Sequence, residues 1–194
     1  GIKALVVGDD FRFGKGRKGD YRLLLEFSKS RGFFLERAFP FNIDGERVSS
    51  TLVRNYLRSG DIENAEKILG HPYFIVGRVV QGYKRGRKWG FPTANINLER
   101  FRTPLSGILA ARVSGLSKNK LNAVAYIGSR PIIDDPRFVL EVHIFDFNED
   151  CYGEHIKVEF VQRIRGDLHF DGFEEMAKQI EKDCILAKKI LRND

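Results

Sequence analysis

The second half of the chain is dominated by short apolar runs separated by turn residues, and this pattern constrains the fold more than any other feature. Runs of this length, rich in Val, Ile and Phe, are typical of β-strands. Five in succession without an intervening helix favour an antiparallel sheet or barrel. The five predicted strands are FIVGRVV, ILAARVS, LNAVAYIG, LEVHIFDF and HIKVEFVQRIR.

A helical pattern follows the last predicted strand. Between Asp171 and Leu191 apolar residues recur at intervals of three or four, which predicts one helix with a single apolar face packed on the barrel. That face consists of Phe173, Met176, Ile180, Cys184, Ala187 and Leu191.

The first 70 residues have a different pattern, in which strands and helices alternate. KALVVG and FFLERAF are predicted strands, and Asp20 and Gly32 bound a helix between them. Strand, helix and strand in this order indicate a parallel α/β sheet. Two short helices follow, ending at Gly60 and Gly70, and Asp61 caps the second. We place the domain boundary after residue 70, which gives domains of residues 1–70 and 71–194.

Charge and cysteine content limit the classes of function. The 194 residues include 33 Lys and Arg against 26 Asp and Glu, a net charge of +7 that suits an anionic partner such as a nucleotide phosphate. No apolar run is long enough to span a bilayer. Cys151 and Cys184 have no metal-like spacing, so we expect a reducing cytoplasm and no structural zinc.

The stretch of residues 77–98 contains the strongest chemical signal. Glycines let backbone N–H groups approach a phosphate closely, and the five basic residues among them add attraction. Thr93 and Asn95 follow, two residues apart on an extended segment, so that their oxygens face one side and suit Mg²⁺. The alternative is a β-hairpin with a basic, solvent-exposed turn. The glycines are Gly77, Gly82, Gly86 and Gly90, and the basic residues are Arg78, Lys84, Arg85, Arg87 and Lys88.

Two further candidates are weaker. Glu141 shares a strand face with Val139 and His143, and a carboxylate in an apolar strand can point into a cavity and take a proton from a hydroxyl. The alternative is a glutamate on the wet face of a barrel. The segment VSSTLVR places hydroxyls and Arg54 at a helix start, which indicates a phosphate site or a plain N-cap.

Taken together, these segments resemble the bacterial bifunctional riboflavin kinase/FMN adenylyltransferases, the prokaryotic FAD synthetases. The resemblance covers nearly the whole chain in the same order. It implies a partial Rossmann-like nucleotidyltransferase domain, followed by an antiparallel Greek-key barrel with a C-terminal helix. The matching words are VGDDFRFG, VSST with Arg54, GFPTAN, AYIGSRP and LEVHIFDF.

The resemblance also implies roles for individual residues. Glu141 would be the base that activates the 5′-hydroxyl of riboflavin, and Thr93 and Asn95 would hold Mg²⁺. The groups near the ATP phosphates would be Gly77, Gly82, Lys84, Gly86, Gly90, Thr93 and Asn95. Arg130 would lie by the flavin in the second domain, and Asp10 and Phe11 would do so in the first. Ser50, Thr51 and Arg54 would form the adenylyltransferase phosphate site.

The expected substrates are ATP, riboflavin and FMN, with no nucleic-acid or membrane partner, and weak homo-oligomerisation is left open. The family's early G-x-F-D-G-x-H-x-G-H segment is absent, and no histidine precedes His71. We therefore expect residues 1–70 to hold the second half of the adenylyltransferase domain, and FAD to be made by a full-length parent. Leu109 and Ile132 depart from the family pattern near the expected pocket. The alternatives are an OB-like barrel that binds single-stranded nucleic acid and an inactive flavin-binding remnant.

Overall fold

The computed structural model describes residues 1–82, 86, 90–98, 102–117, 120–129 and 138–192. The chain folds into two compact units, Gly1–Ser49 and Ser50–Asp194. Along the described stretches, none of the helices combines the length and apolarity that crossing a bilayer requires.

The first unit is a small α/β arrangement. Its strands β1 and β2 pair in parallel, and α1 connects them, as the sequence predicts. The Asp20 carboxylate accepts a hydrogen bond of 3.0 Å from the backbone N–H of Leu23, and Gly32 ends the helix in the left-handed conformation. A hairpin that the sequence pattern did not indicate follows. The elements are β1 (Ala4–Gly8), a 3-10 turn (Lys15–Arg17), α1 (Tyr21–Arg31), β2 (Phe34–Ala38), β3 (Asn42–Ile43) and β4 (Glu46–Arg47).

The second unit begins with a pair of helices and continues into a closed barrel, for which the described residues supply six antiparallel strands. Around the barrel the order is β10, β5, β6, β9, β8, β7. Strands β7, β8 and β9 form a meander, and β10 returns to lie beside β7, which is the Greek-key arrangement. The elements are α2 (Ser50–Ser59), α3 (Ile62–Leu69), β5 (Phe74–Val80), β6 (Ala94–Asn97), β7 (Gly107–Ser114), β8 (Leu121–Ser129), β9 (Phe138–Ile144), β10 (His155–Arg165) and α4 (Phe173–Arg192).

The helices α2 and α3 belong to the barrel unit, although the sequence placed them in the first domain. Leu57 and Ala65 are buried in the same apolar cluster as Phe160 of β10. The Arg163 guanidinium donates a hydrogen bond to the Ser59 carbonyl at 3.3 Å. The compact units therefore divide between residues 49 and 50, because the apolar faces of these helices are covered by the barrel, and the domain boundary after residue 70 stays a prediction.

The barrel has an inner and an outer apolar layer. Alternate residues of the strands point inward and form a cluster that includes Leu109, Leu140 and Ile156, each fully buried. On the outer side, α4 covers β7 and β8. The outer cluster consists of Ala110, Val124, Phe145, Cys184, Ala187 and Leu191, with Ile180 packed against it.

The helix α4 matches the predicted stripe from Ile180 onward, whereas Met176 is only half-buried and belongs to neither apolar cluster. Phe173 remains 44% exposed, because the buried part of the helix begins further along. The attachment of α4 is reinforced by a partly buried ion pair in which the Arg165 guanidinium donates to Asp183 at 2.7–3.1 Å. Gln179 donates a further hydrogen bond to the same carboxylate.

Candidate functional site

The centre of the site is a pair of side chains that face each other across two neighbouring strands. In the antiparallel register of β6 and β9, Asn95 lies opposite Glu141. The flanking residues Ile96 and Leu140 are buried inside the barrel, so the Asn95 and Glu141 side chains both lie on its outer face. Directly opposed residues in an antiparallel pair have Cβ atoms about 4.5–5.5 Å apart. The structure thus brings together a predicted metal ligand and the predicted base.

Glu141 is not on a wet surface, although it lies on the outer face of the barrel. Its residue is half-buried and its Oε1 atom is shielded from solvent. Tyr126 of β8 lies opposite Glu141 on the other side, so the carboxylate is bordered by Asn95 and an aromatic residue. A carboxylate with such limited access to water is suited to accept a proton from a bound hydroxyl.

Two of the predicted glycines lie against the two predicted oxygen ligands. A Cβ atom at Gly82 would lie 2.6 Å from Cγ and 2.8 Å from Oδ1 of Asn95. A Cβ atom at Gly86 would run into the carbonyl oxygen of Phe91 and would lie 3.5 Å from Oγ1 of Thr93. The backbone at these positions therefore approaches the Asn95 amide and the Thr93 hydroxyl closely, which a larger residue would prevent.

A cavity of about 500 Å³ opens beside Thr93. Its inner wall is formed by Val79, Ala94, Val142 and Ile144, and the turn of residues 147–152 covers it. Asn95 and Glu141 do not line this cavity, because they face outward while the wall consists of inward-facing residues. Thr93 lines the cavity and lies two residues before Asn95 in the chain. It therefore connects the cavity inside the barrel with the outward-facing pair of Asn95 and Glu141.

The turn that covers the cavity is fixed by backbone hydrogen bonds to β5. The N–H of Gly153 donates to the Val79 carbonyl at 2.9 Å, and the N–H of Val79 donates to the Glu154 carbonyl at 2.8 Å. Of the described lining residues, the charged ones are Glu149 and Asp150. A polyphosphate placed next to these two carboxylates would need a cation to reduce the repulsion.

The donor chemistry of the site suits Mg²⁺. The Thr93 hydroxyl and the Asn95 amide oxygen are hard ligands, and a Mg²⁺ ion held with substrate phosphates needs few protein groups. The backbone of Gly82 approaches the Asn95 amide closely. Within the described ranges, no group of three or more His, Cys, Asp or Glu side chains is arranged to hold a metal. The hydroxyl of Thr93 and the amide oxygen of Asn95 fit a cation that is shared with substrate phosphates.

His143 adds a contact to which the sequence analysis assigned no function. Its Nδ1 atom lies 2.7 Å from the carbonyl oxygen of Pro92, one residue before Thr93. The signal that could have indicated it is its place on the same strand face as Glu141.

Comparisons with known proteins match both parts of the chain to family models. The family model described as riboflavin kinase matches residues 69–191, and one described as FAD synthetase matches residues 1–52. The chain belongs to the riboflavin kinase family. The alternative of a nucleic-acid-binding barrel is not favoured by these matches.

Relatives in three bacteria are named bifunctional riboflavin kinase/FMN adenylyltransferase. The protein of Haemophilus influenzae is 44% identical over 96% of this chain and 61% of its own length. The protein of Escherichia coli K12 is 44% identical over 97% of this chain and 60% of its own, and that of Bacillus subtilis is 37% identical over 99% and 61%. The chain thus spans about 60% of the length of the curated relatives it matches.

A solved structure also shares the fold. A crystal structure named macrolide-efflux protein, from Streptococcus pneumoniae, matches with a TM-score of 0.73 and 32% sequence identity. The match covers 93% of this chain and 58% of that one.

Other residues predicted for the riboflavin kinase site have different surroundings. Gly77 lies inside the barrel in β5, where a Cβ atom would lie 2.9 Å from the Asn97 carbonyl oxygen, so packing alone explains this glycine. Gly90 has a φ of +81° before Phe91, which favours glycine.

Leu109 was expected near the pocket but is fully buried in the core and does not line the cavity. Lys84, Arg130 and Ile132 lie outside the described residues.

The predicted flavin contacts of the first domain lie in the FAD synthetase match. Arg47 forms an ion pair of 2.6 Å with Asp9 and lies 3.9 Å from a carboxylate oxygen of Asp10. Phe11 stacks on Phe13 with ring centroids 5.8 Å apart. Both predicted residues therefore have neighbours within their own unit.

The predicted adenylyltransferase phosphate site falls at the start of α2, in the second unit. Ser50 and Thr51 are the first residues of that helix, and Arg54 donates a hydrogen bond to the Ser50 hydroxyl at 2.9 Å. The guanidinium of Arg54 is thereby held on the first turn.

Proposed function

We propose that the barrel unit transfers the γ-phosphoryl group of ATP to the 5′-hydroxyl of riboflavin and so forms FMN. The observation that carries the proposal is the cross-strand pair of Asn95 and Glu141, with Thr93 two residues before Asn95. This arrangement supplies a carboxylate for the hydroxyl and oxygen ligands for the nucleotide, on two strands whose register fixes their separation. Membership of the riboflavin kinase family supports the same activity.

In the proposed reaction, Glu141 orients the 5′-hydroxyl and accepts its proton. The hydroxyl oxygen forms a bond to the γ-phosphorus, and the bond between that phosphorus and the bridging oxygen to the β-phosphate breaks. ADP leaves with the electron pair. Phosphoryl transfer of this kind depends mainly on positioning and electrostatic stabilisation, which a general base supplements.

Thr93 and Asn95 are the proposed ligands that hold the nucleotide together with Mg²⁺. When bound, Mg²⁺ supplies positive charge that neutralises the phosphate oxygens during transfer. Gly82 and Gly86 let the chain approach these ligands. Because the cavity borders Thr93, the substrate nearest to it is the nucleotide, and its apolar wall suits the adenine ring.

The test is an incubation of the chain with riboflavin, ATP and Mg²⁺, followed by chromatography that separates FMN from FAD. We expect FMN to form, and Glu141→Gln to lower its rate by about 10²–10⁴-fold while riboflavin still binds. Glu154→Gln, which changes an exposed carboxylate, is the matched control and should retain the activity. Normal turnover by Glu141→Gln would show that Glu141 is not the base. If the unmodified chain makes no FMN, the alternative of an inactive flavin-binding remnant replaces the proposal.

Formation of FAD is proposed for a longer protein that contains this chain. The relatives that are named as bifunctional are longer, and the FAD synthetase model matches residues 1–52. In that protein Asp10 and Phe11 would contact the flavin, and Ser50, Thr51 and Arg54 would contact the phosphates of ATP. We expect FMN without FAD from this chain, and a substantial FAD peak would contradict that expectation.

A cytoplasmic location fits the free thiols of Cys151 and Cys184.

A further inference from the structure

The pairing between β6 and β9 that positions Asn95 includes Ala94 but does not extend to Thr93, the residue before it. The last paired residues of β6 and β9 are Ala94 and Val142. One step further, the backbone ladder is replaced by a side-chain contact, in which His143 Nδ1 lies 2.7 Å from the Pro92 carbonyl oxygen. A carbonyl oxygen only accepts hydrogen bonds, so Nδ1 carries the proton and donates.

The imidazole ring is held by aromatic neighbours on two sides. Phe91 meets it edge-on with centroids 5.8 Å apart, and Phe145 does so at 5.6 Å. Phe145 is only 6% exposed and belongs to the cluster under α4. Edge-on aromatic contacts restrict the ring plane, so Nδ1 keeps its direction toward Pro92.

Thr93 is therefore fixed on both sides. Ala94 is held by the strand ladder, and Pro92 is held by His143. We propose that His143 is a positioning residue which keeps the Thr93 hydroxyl in place for Mg²⁺-bound ATP, an inference that rests on the proposed function. His143 touches neither substrate in this proposal and acts through the Pro92 carbonyl.

Steady-state kinetics with three variants test the proposal. His143→Phe keeps an aromatic ring but loses the donor, and His143→Asn places an amide N–H near the position of Nδ1. We expect His143→Phe to raise KM for Mg-ATP about tenfold, the equivalent of one hydrogen bond, with KM for riboflavin unchanged. His143→Asn should restore most of the loss, and His169→Phe, which changes an exposed histidine, should behave as the unmodified chain.

A merely structural role gives a different result. It would lower the fraction of folded enzyme, and so kcat, without changing KM for Mg-ATP. An unchanged KM for Mg-ATP in His143→Phe, or equal defects in the Phe and Asn variants, would overturn the proposal.

A second measurement does not depend on turnover. Nitrogen-15 NMR of the histidine side chains should find a proton on Nδ1 of His143 in the free protein, and a proton on Nε2 alone would overturn the proposal. Calorimetric titration with Mg-ADP should show the same tenfold weakening in His143→Phe. If the unmodified chain makes no FMN, the proposed function fails, whereas the NMR result still reports on the hydrogen bond that holds Pro92.

Discussion

Replacement of Gly82 by alanine tests the close approach on which the Asn95 position depends. The new Cβ would lie 2.6 Å from Cγ and 2.8 Å from Oδ1 of Asn95, where ordinary contacts begin at 3.4 Å. Nδ2 of Asn95 would lie closer still, so the amide must withdraw by about 1 Å, and misplacement by about 1 Å of a group that positions substrate can lower the rate by about 10²-fold. We expect Gly82→Ala to lower kcat/KM for Mg-ATP by roughly 10- to 100-fold.

The same variant should remain folded. The φ angle of Gly82 lies outside the left-handed region, so alanine adopts its backbone conformation without strain. The contacted atoms belong to the end of a side chain that can rotate, and we expect a loss of about 1 kcal/mol or less in unfolding free energy, the low end for overpacking. Thermal unfolding followed by circular dichroism measures this loss.

Gly172→Ala is the matched control, because a Cβ there would meet nothing within 4 Å. It should change neither activity nor stability. Gly82→Ala with normal kcat/KM for Mg-ATP across a range of Mg²⁺ concentrations would refute the reasoning that Asn95 must stay in place.

Two further predictions concern α4. Asp183→Ala removes the buried carboxylate that pairs with the partly exposed guanidinium of Arg165, and we expect the unfolding free energy to fall by about 2–3 kcal/mol in urea titrations. Glu181→Ala, on the exposed face, should change it little, and an equal effect of both would contradict this. Burial raises the pKa of the Cys184 thiol to about 11, and the pKa of the half-buried Cys151 is raised as well, mainly by burial. We expect iodoacetamide at pH 8 to modify Cys151 before Cys184, as read by peptide mass spectrometry, and the reverse order would show that Cys184 is accessible.

Local sequence signals were sufficient wherever the physical cause was also local. Asp61 accepts a hydrogen bond from the N–H of Asn64 as a cap, and Gly70 adopts the left-handed conformation that ends α3. The strands β5 and β10 have the bounds that their apolar alternation predicted. In contrast, β6 is only four residues long and was predicted no further than an extended segment, because its pairing with β5 and β9 is what makes it a strand.

Prediction of the candidate site needed both the local sequence and the tertiary structure. The residue types in GFPTAN and in LEVHIFDF indicated oxygen ligands and a carboxylate, since short-range sequence records chemistry directly. Their separation depended on a register between residues 46 positions apart, which no local pattern specifies. The hydrogen bond from His143 to Pro92, 51 positions apart, was missed for the same reason.

By itself, the sequence determined the ends of α1 and α3, the β-rich second half and the kinds of side chain available for phosphoryl transfer, because propensity, capping and alternation act over a few residues. Only the tertiary structure decided that α2 and α3 join the barrel, that Asn95 faces Glu141 on its outer side, and that a cavity lies inside next to Thr93. These outcomes depend on the closure of the sheet, which brings distant segments together to bury one face of each strand and thereby fixes what lies on the other.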